Sequence, residues 1–250
     1  MRILACFAHP DDETMLAGGL LALLASVNFE VHFMSCTRGE GGECGDPPIC
    51  RQKDLGRFRE KELKCAVENL GGHSLTFLDY KDPLVGLENE LFSFTDNVDE
   101  LAEKIDEYLT KHQIDTIITH GSNGEYGHPG HLSVFNAVKK IVHNGKKNLY
   151  WYSVQAFYEH SQKPHLLNKD DAADWIIDTS VVVDKKIKAA YCHQSQHDLF
   201  LRRKSKELGR LVAIEEVIHA HESYHLQYGS SDILLDVPII KDNIISHQIK

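Results

Sequence analysis

The sequence predicts an α/β fold: a Rossmann-like three-layer sandwich with a mostly parallel central sheet and helices on both faces. Two observations predict it. Short apolar runs alternate with stretches of helical spacing, a βαβα order that favours parallel strands. Three of those runs are followed directly by clusters of polar, charged and glycine residues, the place where open parallel sheets bind ligands.

The elements follow in order. Residues 3–8 (ILACFA) read as a short buried strand, and residues 13–26 as an apolar helix. A strand at 30–37 leads into a Gly/Pro-marked loop at 39–51. A helix at 53–70 precedes a strand at 74–79 and a polar loop at 81–96. A helix at 98–112, a strand at 116–120, a helix at 132–143 and a strand at 149–154 continue the alternation. Residues 162–174 read as loop, 180–183 as a strand of branched residues, and 184–195 as a helix. After Leu199 the chain is charged and irregular until an apolar run at 233–240. No repeat or linker divides it, so a single domain over 1–250 is expected, with the core motifs within about 1–200.

Composition narrows the function. The 250 residues are 42% hydrophobic and 26% charged, an ordinary globular balance. With 27 basic and 37 acidic residues the net charge is −10, which argues against nucleic acid as a partner. The apolar stretch 16–25 is too short to span a bilayer, which needs ~20 residues. No signal peptide is evident, and a cytoplasmic location is expected. Cys6, Cys36 and Cys65 lie in apolar contexts and are expected as reduced thiols. Cys44 and Cys50 share a loop, where two reduced thiols are the plain reading and a disulfide or second metal site the alternative.

The first strand ends in Ala8-His9-Pro10-Asp11-Asp12-Glu13. A dinucleotide fold would place glycines there. One imidazole and three carboxylates repel a pyrophosphate but suit a divalent metal and a general base. The second strand is followed by Thr37-Arg38-Gly39-Glu40-Gly41-Gly42, the fourth by a loop containing Tyr126-Gly127-His128-Pro129-Gly130-His131. His9 with Asp12, and His128 with His131, are each three residues apart. Neighbouring parallel strands bring such loops together, and a His/Asp/His set leaves the open position of a catalytic zinc. More polar groups remain than a metal needs: Asp11 can accept a proton, while His128 and Tyr126 can steady a developing oxyanion. Either histidine pair alone, or acids at a helix start, would be unremarkable.

These residues resemble the LmbE-like, or PIG-L, zinc-dependent N-deacetylases. The matching pieces are A-H-P-D-D-E with the glycine-bearing helix after it, the TRGEGG loop, Arg59-x-x-Glu62 with Ala66 and Leu70-Gly71, Gly127-His128-Pro129-Gly130-His131, and Lys186-x-x-Ala189 leading to His193-Gln194-Ser195-Gln196. The resemblance implies His9, Asp12 and His131 as zinc ligands, with Fe2+ or another divalent ion as an alternative metal. It implies Asp11 as general base, His128 as oxyanion stabiliser and acid, and Tyr126 as a group that polarises the acetyl carbonyl. Arg59, Arg38 and His193 are expected near the substrate, a small N-acetylated amino sugar. For Arg59 a helix-surface role is the alternative, and for His193 an orienting role behind the site. Trimers or hexamers are the implied assemblies. The loop at 43–50 exceeds the simplest family pattern and is expected to overhang the pocket. The cluster His219-Ala220-His221-Glu222-Ser223-Tyr224-His225 is expected as a polar helix end or subunit contact, with another metal site as the alternative. Against the deacetylase stand two other readings: a metal-binding regulatory or scaffold protein without turnover, and a nucleotide-binding α/β protein, which the missing glycine fingerprint disfavours.

Overall fold

The computed structural model describes residues 1–145, 148–159, 161, 166–229 and 232–247. Its strands and helices run β1 (Arg2–Phe7), α1 (Asp12–Ser26), β2 (Glu30–Thr37), α2 (Leu55–Leu70), β3 (Ser74–Tyr80), α3 (Val98–Lys111), β4 (Thr116–Thr119), α4 (Gly124–Gly127) and α5 (Pro129–His143). The second half contributes β5 (Tyr150–Val154), β6 (Ala156–Phe157), β7 (Asn168–Ala172), β8 (Trp175–Asp178), α6 (Val183–Cys192), α7 (His197–Leu208), β9 (His221–Tyr228), α8 (Pro238–Asp242) and β10 (Ile244–His247).

The main sheet has eight strands in the order β10-β8-β9-β5-β4-β1-β2-β3. Strands β3, β2, β1, β4 and β5 are parallel; β9, β8 and β10 extend the sheet antiparallel. The order reverses between β1 and β4, which opens a crevice at their carboxyl ends. Side chains alternate across β1: Ile3, Ala5 and Phe7 join the core beneath α1 and α2, while Leu4 and Cys6 join the core beneath α3 and α5. Helix α1 is buried nearly all round, from Leu16 to Leu24, so it carries no polar face.

A buried ion pair ties α1 to the C-terminal part of the chain. Lys186 Nζ lies 2.6 Å from Glu222 Oε1, and both side chains are almost fully buried. The Glu222 carboxylate also accepts the backbone N–H groups of Gly19 and Leu20, each at 2.8 Å, and the Tyr224 hydroxyl at 2.7 Å.

Several expectations need correction. Residues 180–183 form no strand: Ser180–Val182 is a 3-10 turn leading into α6, closed by Val182 N–H to the Thr179 carbonyl. The strand lies just before it, at Trp175–Asp178. The expected loop at 162–174 contains β7, an all-polar strand but for its last residue; residues 162–165 lie outside the described residues. The irregular stretch after Leu199 holds the rest of α7 and then β9. The His219–His225 cluster is therefore a turn and strand rather than a helix end. Cys65 is not a reduced thiol: it is bonded to Cys192, linking α2 to α6 across a Cα–Cα distance of 5.7 Å. Cys6, Cys36, Cys44 and Cys50 are free. Among the described residues, no helix is long and apolar enough to cross a membrane.

Candidate metal centre

The site lies at the carboxyl ends of β1 and β4. After β1 the chain turns sharply, and Asp11 takes a left-handed conformation (φ 106°, ψ −29°) that is strained for a side chain with a Cβ. Neighbours hold it there. Glu13 Oε2 accepts the Asp11 N–H at 3.0 Å, and Arg59 Nη2 donates to the Pro10 carbonyl and to Asp11 Oδ2, the latter at 3.0 Å. Arg59 also donates to the Gly39 carbonyl at 2.9 Å. Its guanidinium sits so close to the loop after β2 that a Cβ at Gly39 (φ +65°) would fall 2.1 Å from Nη1.

Three histidines face the Asp12 carboxylate: His9, His131 and His120. Oδ2 lies 3.3 Å from His9 Nδ1, and Oδ1 lies 3.4 Å from His131 Nε2. His128 stacks on His131 at 4.6 Å and meets His9 at the same ring separation. Behind them His120, fully buried, stacks on His131 at 3.8 Å. Glu125 Oε2 lies 2.6 Å from His131 Nδ1 and 2.9 Å from His120 Nδ1, while its Oε1 accepts the Gly121 N–H at 2.8 Å.

These bonds decide which nitrogens are free. His120 Nε2 accepts the Ala8 N–H at 3.0 Å, so its Nδ1 carries the proton given to Glu125 and neither nitrogen is left for a metal. His128 Nδ1 accepts the Gly130 N–H at 3.1 Å, which leaves its proton on Nε2. The Nε2 atoms of His9 and His131 are buried and make no hydrogen bond. Two donors on one tetrahedral ion, at ~2.1 Å each, stand about 3.4 Å apart. The gap from Asp12 Oδ1 to His131 Nε2 matches that separation, as does the gap from Asp12 Oδ2 to His9, though the latter is made through Nδ1. The residues present fit a divalent cation: His9 with His128 and His131, and Asp12 with His120 and His131, each bring donor atoms within 4.8 Å of one another, and Glu125 holds His131 from behind.

Electrostatics agree. Burial disfavours the His9 cation, yet Asp12 and Asp82 outweigh burial and raise its pKa to about 9. His131 is likewise raised, to about 10, against its burial, by Asp12 and Glu125. Asp12, despite burial, is held well below the usual carboxylate range by His131 and His9. Both imidazoles must give up those protons to bind a metal, so metal uptake at this centre releases protons and weakens as pH falls. Burial lifts Asp11 to about 6, a rise the Arg59 guanidinium partly offsets. Burial and then the neighbouring His9 and His131 push His128 down to about 3, which keeps it neutral and able to donate from Nε2.

The expected site residues divide into those at the centre and those behind it. His9, Asp11, Asp12, His128 and His131 converge. Tyr126 is more than half exposed, its ring 5.5 Å from that of His131. Arg59 is only 3% exposed, so it is no surface arginine; it braces Asp11. His193, fully buried, lies 3.2 Å from both Glu13 Oε1 and Thr14 Oγ1. Glu13 thus links Asp11 to His193. Arg38 pairs instead with Glu60 at 2.7 Å and with Asp79, its guanidinium over the Phe77 ring. Sequence reasoning missed Glu125, His120 and Asp82. Asp82 Oδ1 stands 3.3 Å from His9 Nε2, and its Oδ2 accepts the Gly41 N–H at 3.2 Å. Asp82 follows the third strand, so the rule that sites follow strands would have found it.

A cleft of about 790 Å³ opens over the centre, lined by Asp11, Asp12, Tyr126 and His131 on one side and by α7 residues such as Phe200 and Arg203 on another. The loop at 43–50 contributes no lining. It leans on α7 instead, through Arg202 to Glu43, Asp198 to the Asp46 N–H, and Gln196 Nε2 to the Glu43 carbonyl at 2.8 Å.

A buried His/Asp cluster in the crevice of a reversed parallel sheet marks a metal-centre α/β protein. The family model described as GlcNAc-PI de-N-acetylase, PIG-L, matches residues 4–142, more than half of the chain, and the chain belongs to that family. It is 35% identical over 152 residues to a 1D-myo-inositol 2-acetamido-2-deoxy-alpha-D-glucopyranoside deacetylase of Catenulispora acidiphila, covering 53% of this chain and 42% of that protein. With the enzyme of the same name from Thermobifida fusca it shares 32% over 144 residues, covering 52% and 50%. The chain thus spans about half the length of these curated relatives. Among solved structures, the N,N'-diacetylchitobiose deacetylase of Pyrococcus horikoshii superposes with a TM-score of 0.61 at 18% identity, over 90% of this chain and 83% of that one. The 4-carboxy-2-hydroxymuconate hydratase of Pseudomonas putida superposes with a TM-score of 0.60 at 19% identity, over 92% and 98%. These likenesses establish the α/β fold.

Proposed function

We propose that this chain is a zinc-dependent N-deacetylase acting on an N-acetylglucosamine-type conjugate. One observation carries the reading: a carboxylate that no metal needs, Asp11, is held in a strained backbone beside the His9/Asp12/His131 donors. The substrate class rests on the names of the curated relatives. Fe2+ suits the same donors.

Bound at those donors, the metal supplies Lewis acidity toward an amide carbonyl and acidifies water. The chain's residues do the rest. Asp11, with its pKa raised to about 6, accepts the proton of the attacking water. Neutral His128 donates from Nε2 to the oxygen on which negative charge develops, and Tyr126 donates from the cleft mouth. The proton gathered on Asp11 then passes to the departing amine. Arg59 and Glu13 act as positioning residues through Asp11.

The test is free-amine release from N-acetylglucosamine conjugates, with and without chelator. Turnover should stop with chelator and return with Zn2+. Asp11→Asn should keep its metal and lose at least ~10²-fold in kcat, the usual worth of a general base. A scaffold protein would bind metal and release no amine, and the hydratase on this fold shows that fold alone does not choose the reaction. Full activity in Asp11→Asn would remove the base from the mechanism.

A further inference from the structure

At the opposite end of the parallel strands, Glu30 and His32 of β2 meet His73, which precedes β3. Each offers one ligand atom, and the three atoms lie within 4.8 Å of one another. His32 is 4% exposed. Its Nδ1 is engaged, 2.8 Å from Ser74 Oγ and 3.1 Å from the Tyr108 hydroxyl. Its Nε2 is buried and has no hydrogen-bond partner. One nitrogen fixed by hydroxyls and the other bare is the arrangement of a metal-ligating histidine. The His73 backbone N–H bonds the Val31 carbonyl at 2.8 Å, which sets the two imidazoles 5.0 Å apart. Glu30 Oε2 lies 3.9 Å from His32 Nε2. His112, stacked on Tyr108 at 4.1 Å, walls the site 5.4 Å from the His32 ring.

We propose that Glu30, His32 and His73 form a second site for a divalent transition metal, separate from the centre in the cleft. Two imidazoles and a carboxylate are a donor set for Zn2+, and for Cu2+ or Ni2+ as well. The buried His32 is the fixed ligand. His73 is exposed and Glu30 partly so, and both can turn to bring donors that already lie within 4.8 Å of one another toward the ~3.4 Å of a shared ion. Arg2, whose Nε is 2.9 Å from Glu30 Oε2, competes with the metal for that carboxylate. Because β3 is the edge of the sheet, the ion would fasten the outermost strand to its neighbour.

The experiment counts metal rather than activity. Chelator-stripped protein is loaded with Zn2+ alone, desalted and measured by elemental analysis. The wild type should hold two equivalents and His73→Ala one. A His9→Ala/Asp12→Ala variant should also hold one, and adding His73→Ala to it should remove that one. His73 is exposed, so its removal leaves the fold intact. No metal in the His9→Ala/Asp12→Ala variant, or two equivalents in His73→Ala, would overturn the site. Neither result depends on whether the cleft releases amine.

Discussion

Replacing Glu125 by Gln separates the metal's ligands from the groups that aim them. Glu125 touches no substrate; it is 3% exposed and binds His131 Nδ1, His120 Nδ1 and the Gly121 N–H. Its pKa is lowered to about 2, because His120 and His131 outweigh its burial, so it is a carboxylate across the working range. The amide keeps the shape and loses the charge. It can still accept the Gly121 N–H, but its NH2 then faces two imidazole N–H groups that need an acceptor. Loss of such an orienting partner typically lowers metal affinity 10–100-fold, or about 1.4–2.8 kcal/mol. Competition against a chromophoric chelator measures it directly, and kcat at saturating Zn2+ should fall less than affinity. Affinity within twofold of the wild type would refute the claim that Glu125 orients His131.

Two further perturbations address the supports. Gly39→Ala places a Cβ 2.1 Å from Arg59 Nη1 at a positive φ. The left-handed backbone alone costs about 1–2 kcal/mol, so the melting temperature should fall by roughly 2–8 °C, with a loss of kcat as Arg59 releases Asp11; an unchanged melt and rate would show that Arg59 is free to move. Lys186→Met strands the buried Glu222 carboxylate and should cost about 3–5 kcal/mol in urea unfolding. A cost below 1 kcal/mol would mean that the carboxylate finds water or a proton.

The front of the site was legible in the sequence because each of its motifs is local. His9, Asp11 and Asp12 share one turn, and His128 and His131 share another. The roles of the supports were not, even for Arg59 and His193, which were expected near the substrate, because they act across the chain. Arg59 reaches Asp11 over 48 positions, and Asp82 reaches His9 from just past the third strand, where its position was a signal but its partner was not. Glu125 stood in view, but its role needs His120, and a histidine ending a buried strand gives no sign of its partner. The parallel strands were read almost to the residue, since each is a dense apolar run. Strand β7 escaped because Asn-Lys-Asp-Asp has no apolar face, and the Cys65–Cys192 bond because the partners lie 127 positions apart.

The grip of Glu222 on Gly19 and Leu20 bears on where this molecule can be shortened. The family match ends at residue 142, and every proposed metal ligand precedes that point. A chain cut there would keep the ligands and lose their footing. Helix α1 begins with Asp12, and its flank packs on α6 and β9. Without them two backbone N–H groups and a leucine-rich surface face water at the helix that carries the site. The later third of the chain is a doorframe to which the centre is fastened, and swapping it between relatives should alter metal retention even where no ligand changes.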